Sequence, residues 1–70
     1  MLYSALTARE NVEFTARLYG LDSPRAAAMR ALTRMRLEHR AESPVRSLSR
    51  GMQQRVSIAR AFAVDPEILL

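Results

Sequence analysis

The chain has no cysteine, no lysine and no tryptophan, and only two glycines in its 70 residues. Without cysteine there is no disulfide framework, no thiolate zinc site and no thiol nucleophile. The single histidine, His39, has no companions at metal-ligand spacing and reads as a surface residue. Long apolar runs are missing as well. None exceeds four residues, as at 61–64, far short of the roughly 20 residues of a membrane helix. No basic segment leads into an apolar stretch at the start, as a signal peptide would require. The expectation is a soluble, cytoplasmic chain, which leaves docking onto a membrane protein open. A chain of this length is one small domain or part of a larger one, and buries only about 60% of its unfolded surface.

What is there is arginine. The formal charge is +4, and all 11 basic residues are arginines. Such a balance permits contact with nucleic acid, anionic lipid or nucleotide phosphates. The arginines are scattered among acidic residues, however, which fits a solvated helical surface.

Three helices are legible. Thr7-Ala8-Arg9-Glu10 has the pattern of a capping box, in which hydroxyl and carboxylate each satisfy an N-terminal amide. The predicted helix runs to about Tyr19 and stops at Gly20, suited to a left-handed position just past a helix end. Ala8, Val12, Thr15, Ala16 and Tyr19 share one face, flanked by Phe14 and Leu18, with Arg9, Glu10, Glu13 and Arg17 opposite. Met1-Leu2-Tyr3-Ser4-Ala5-Leu6 begins abruptly, with no turn or cap ahead of it. Ser23 and Pro24 open a second helix as N-cap and first helical residue. Ala28, Ala31, Leu32 and Met35 form its apolar stripe, and Arg30 and Arg34 are expected to face outward. Residues 37–47 are polar, contain Pro44 and read as a connector.

The third helix starts at Ser49, whose hydroxyl is placed to cap it, with Gly51 in the first turn. The backbone N–H groups there have no helical partner and carry about half a positive charge, and a small residue lets an anion approach them. A phosphate would suit this end. Met52, Val56, Ala59 and Ala63 form one stripe beside Ile58 and Phe62. The second half of this helix is apolar almost all round, as expected of a buried helix. Asp65-Pro66 ends it, and Ile68-Leu69-Leu70 begins an apolar run like that of a central parallel strand.

This stretch resembles the signature motif of ABC transporter ATPases, L-S-G-G-Q followed by Q-Q-R-V and an A-R-A-L-like run. Leu48, Ser49, Gly51, Gln53, Gln54, Arg55, Val56, Ile58, Ala59, Arg60 and Ala61 stand where that family puts them. Arg50 replaces the first glycine and Met52 the glutamine. Leu6-Thr7-Ala8-Arg9-Glu10-Asn11-Val12 and Leu18-Tyr19-Gly20-Leu21 are similar to the L-T-x-x-E-N-L and L-Y-G-L segments of the same ATPases. The resemblance implies a mainly α, three-helix fragment ending in the start of a β-strand, part of an α/β P-loop NTPase domain. Residues 1–48 would be the helical subdomain, 49–64 the signature helix and 65–70 the beginning of the Walker B strand.

The chain contains no G-x-x-x-x-G-K-[ST], hence no phosphate-cradling loop and no hydroxyl for magnesium. By the resemblance, the Q-loop glutamine would precede Met1 and the Walker B carboxylates would follow Leu70. The chain alone is therefore expected to be inactive as an ATPase. The resemblance gives Ser49, Arg50, Gly51 and Met52 to the γ-phosphate side of ATP held by a second nucleotide-binding domain, with Mg2+ present only in the intact parent. Ser49 would bond the γ-phosphate through its hydroxyl and Gly51 through its backbone N–H. The Met52 side chain is an alternative candidate for core packing, and Arg50 for solvent. Leu2 to Thr7 would lie near a groove receiving a transmembrane subunit's coupling helix, and the implied transport direction is export. The alternatives are an autonomous helical interaction module and a small basic nucleic-acid binder. The last lacks an aromatic platform or a clustered basic face, so no nucleic acid is expected.

Overall fold

Two of the three helices begin at a side chain that caps them. In the computed structural model, which describes residues 1–67, helix α1 spans Ala8–Leu18, α2 Pro24–Arg34 and α3 Arg50–Val64. The α1 capping box is complete: the Glu10 amide donates to Thr7 Oγ1 at 3.0 Å, and the Thr7 amide donates to Glu10 Oε1 at 2.9 Å. At its other end Gly20 stands at φ 74°. Its amide donates to the Arg17 carbonyl at 3.0 Å, and that of Leu21 to Ala16 at 3.2 Å, the paired bonds that close a helix through a left-handed residue. Ser23 and Pro24 occupy the expected positions at α2, but the Ser23 hydroxyl makes no capping bond.

The helices form a bundle in which each touches the other two. Val12, Leu32, Leu37, Val45 and Val56 are fully buried at its centre, with Ala8, Ala28, Ala31 and Ala59 where the helices approach. The stripes expected on α2 and α3 lie inward, although Met35 and Met52 are only half-buried. Two expectations need correction. Tyr19 is 69% exposed, because it is the C-cap of α1 and lies beyond the last turn that faces the other helices. Residues 37–47 are more than a connector. They form two short 3-10 turns, Glu38–Arg40 and Val45–Ser47, and insert Leu37, Ala41 and Val45 into the core.

The same segment is tied to the start of α1. Ala8 and Arg9 donate to the carbonyls of Ser43 and Ala41 at 3.0 and 2.8 Å. Val45 and Arg46 donate back to Leu6 and Ser4 at 2.9 and 3.0 Å. Asn11, 1% exposed, holds the inner edge of this junction. Its Oδ1 accepts from the Tyr3 amide at 2.7 Å, and its Nδ2 donates to the carbonyls of Tyr3 at 3.0 Å and Thr7 at 2.9 Å. A buried amide side chain is tolerated because its donors and acceptor are all used. The turn at Ser4 and Ala5 is thus held by tertiary bonds. After α3, Asp65 is the C-cap, and its Oδ1 accepts from the Glu67 amide at 3.3 Å. The strand expected from Ile68 onward lies outside the described residues.

Candidate functional site

The N-terminus of α3 is built by the turn before it. The 3-10 turn Val45–Ser47 leads through extended Leu48 to Ser49, at φ −63° and ψ 164°. That extended backbone lets Ser49 Oγ fold over and accept from the Met52 amide at 3.1 Å. Because the hydroxyl oxygen serves as acceptor there, its own proton remains free to donate outward. Ser49, Arg50 and Gly51 are exposed. Their three amides have no hydrogen-bond acceptor among the described residues. Arg50 has no ionic partner among them either, and the first turn of α3 carries no acidic side chain.

Gly51 has ordinary helical backbone and open space around it; a Cβ there would meet nothing within 4 Å. The fold therefore does not require glycine at this position. Met52 divides its parts: its amide closes the cap, and its side chain packs against the core. Of the four residues expected at the site, Ser49, Arg50 and Gly51 thus present donors to solvent, and Met52 anchors them from below.

The two helix starts differ in their electrostatics. At α1 the Glu10 carboxylate occupies the third helical position and consumes the Thr7 amide. At α3 that position is Met52, and nothing returns a bond to the Ser49 amide. One positive helix end is neutralised internally; the other is not.

Two residues around the site were not legible as site builders. Gln53 Nε2 donates to the carbonyls of Val45 at 3.0 Å and Leu48 at 3.1 Å. Arg55 Nη1 donates to the Met35 carbonyl at 3.0 Å, tying α3 to the end of α2. Periodicity could not reveal these, since both act on backbone atoms outside their own helix. A groove of about 900 Å³ lies elsewhere, between α2 and the C-terminal half of α3. There Arg34, exposed as expected, is also stacked over the Phe62 ring, its Cζ 5.1 Å from the centroid. The remaining strong electrostatic feature is Arg9, which bonds Glu42 at 2.6 Å and also pairs with Glu13, itself paired with Arg17. The hydrogen bond from Arg9 holds the Glu42 carboxyl below its usual range, and Glu42 raises the Arg9 guanidinium in return.

A three-helix unit with one helix terminus open to anions is consistent with part of a nucleotide-handling domain, and the comparisons with known proteins give that class. The family model described as ABC transporter matches residues 1–70. The chain belongs to the ABC transporter family, as part of its ATPase domain. It is similar to the taurine import ATP-binding protein of Mesorhizobium japonicum, 44% identical over 72 residues. That match covers 99% of this chain and 28% of the relative. The Nod factor export ATP-binding protein I of Cupriavidus metallidurans is 41% identical over 63 residues, 87% of this chain and 21% of its own length. The ABC transporter ATP-binding protein NatA of Bacillus subtilis is 38% identical over 71 residues, covering 99% and 29%. The chain thus spans less than a third of the length of the curated relatives it matches. None of its described helices is long and apolar enough to cross a membrane.

Proposed function

We propose that this chain supplies the signature face of an ABC transporter ATP-binding subunit, in which Ser49, Arg50 and Gly51 meet the γ-phosphate of ATP carried by a second nucleotide-binding domain. The observation that supports this most is the set of unused donors at the start of α3: three amides and the Ser49 hydroxyl proton. An anion there gains charge-assisted hydrogen bonds and the helix dipole. Arg50 adds a cation beside the phosphate or projects into solvent, and Met52 sets the height of the first turn through its core contact.

On this reading residues 1–48 are the helical subdomain, 49–64 the signature helix and 65–70 the approach to the Walker B strand. The P-loop, the Mg2+ ligands and the water-orienting groups belong to other parts of the parent, so this chain by itself turns over no ATP. The parent sits at the cytoplasmic face of the membrane through its transmembrane subunits. Leu2 to Thr7 face the coupling helix of such a subunit, and exposed Tyr3 and Phe14, stacked edge to face at 5.6 Å, give that surface an aromatic corner. The direction read from the sequence is export. Names among the relatives include both import and export, and the cargo is set by the transmembrane partner.

The interaction-module and nucleic-acid readings have less to stand on. Arg9, Arg17, Arg55 and Arg60 are engaged by carboxylates or backbone carbonyls rather than gathered on a face. The deciding experiment is Gly51→Asp in the ATP-binding subunit that carries this segment. The open space at Gly51 accommodates the side chain, and a carboxylate in the first turn favours the helix. Melting temperature should hold or rise while ATPase turnover falls at least about a hundredfold, the scale on which lost oxyanion donors act. Undiminished turnover would remove Gly51 from the site.

A further inference from the structure

The reciprocal bond of a capping box does two things: it consumes the N-cap amide, and it pins the N-cap residue to the helix. Thr7 is pinned in this way by Glu10. Ser49 is not, because Met52 has no acceptor to offer. Its fixed position must come from elsewhere, and Gln53 supplies it. The Gln53 amide donates to the Ser49 carbonyl at 2.9 Å. Its side-chain Nε2 reaches back over the terminus to the carbonyls of Val45 and Leu48. Both Nε2 hydrogens are therefore spent on the turn that delivers Ser49, and the half-buried side chain is held between that turn and α3.

We propose that Gln53 is a positioning residue for the phosphate-facing terminus. By clamping the carbonyls of Val45 and Leu48, it fixes the direction of the Ser49 hydroxyl and of the amides of Ser49, Arg50 and Gly51 without consuming any of those donors. This inference rests on the reading of Ser49 to Gly51 as a phosphate site and deepens it. Rigidity comes from acceptors behind the site, so the donors in front remain available, which is what preorganised anion binding requires.

The test uses the isotope-labelled 70-residue chain and amide hydrogen exchange. Gln53→Met keeps the length and the apolar stem but removes both donors; Gln53→Lys keeps donors. In Gln53→Met the Met52 amide, which reports the Ser49 cap, should exchange about fivefold to tenfold faster. Protection of the Val56 and Ala59 amides should stay as in the parent chain, and Gln53→Lys should restore Met52. Gln53→Glu keeps the shape but points a carboxylate at two carbonyls, and should show the same selective loss. An equal acceleration throughout α3, or no change at Met52 in either donor-free variant, overturns the proposal. A second arm places Gln53→Met in the ATP-binding subunit carrying this segment, where kcat should fall about tenfold to a hundredfold with KM unchanged. Selective exchange at Met52 with kcat untouched keeps the clamp and instead overturns the assignment of Ser49 to Gly51 to a nucleotide phosphate.

Discussion

Arg36 stands at φ 59°, in the left-handed region, one residue past the C-cap of α2. Its amide donates to Thr33 at 3.0 Å and that of Leu37 to Leu32 at 2.8 Å, the same bonds that end α1 through Gly20. A side chain in this conformation costs roughly 1–2 kcal/mol, and what offsets it is the fully buried Leu37 that the turn delivers to the core. Arg36→Gly removes the side-chain clash but adds flexibility to the unfolded chain. The net expectation is a gain of about 1 kcal/mol, a rise of several degrees in melting temperature for a domain of this size, read by circular dichroism. The contrast between the two helix ends also explains what the sequence could disclose. Gly20 announced the end of α1 because glycine is the cheapest left-handed residue. Nothing announced the end of α2, since an arginine is forced there by a burial that only the folded molecule contains.

Helix starts were legible for a related reason: capping is local, settled by residues three or four apart. Thr7 with Glu10, and Ser49 ahead of α3, could be placed from spacing alone, and both hydroxyls make the expected bond. Thr7→Ala removes one bond of a complete box and should cost about 1 kcal/mol of stability in a thermal melt. The turns between residues 37 and 48 were not legible, being too short to show a period, although they bury Leu37, Ala41, Val45 and Leu48. Asn11 was equally hidden, a polar residue inward-facing only because residues 3–7 fold back onto it. The bond between Arg9 on α1 and Glu42 in that segment has a pH signature. Glu42 titrates below its usual range in the folded chain, so its contribution is complete above the unfolded pKa and is lost as pH falls through the lower folded value. Glu42 is 62% exposed, which limits the effect to less than about 1 kcal/mol and makes it salt-sensitive. Glu42→Gln should therefore lower the melting temperature slightly at neutral pH, and the difference should shrink as pH falls below the unfolded glutamate range and vanish only once it has passed the lower folded value.

At the scale of the whole molecule, three helices and two turns occupy about 28 × 23 × 21 Å. The bundle covers one side of α3 and leaves Ile58 and the groove beside Phe62, Ala63 and Pro66 open. This accords with a chain that spans less than a third of the length of the relatives it matches. The bonds between residues 4–9 and 41–46 carry a further consequence. They fasten both ends of a stretch that contains α1 and α2, turning it into a closed circuit within the folded chain. The peptide link around exposed Asp22 is thereby redundant for holding the two helices together. A nick there should leave the pieces associated, and new termini could be opened at that point with the old ones left as a seam elsewhere.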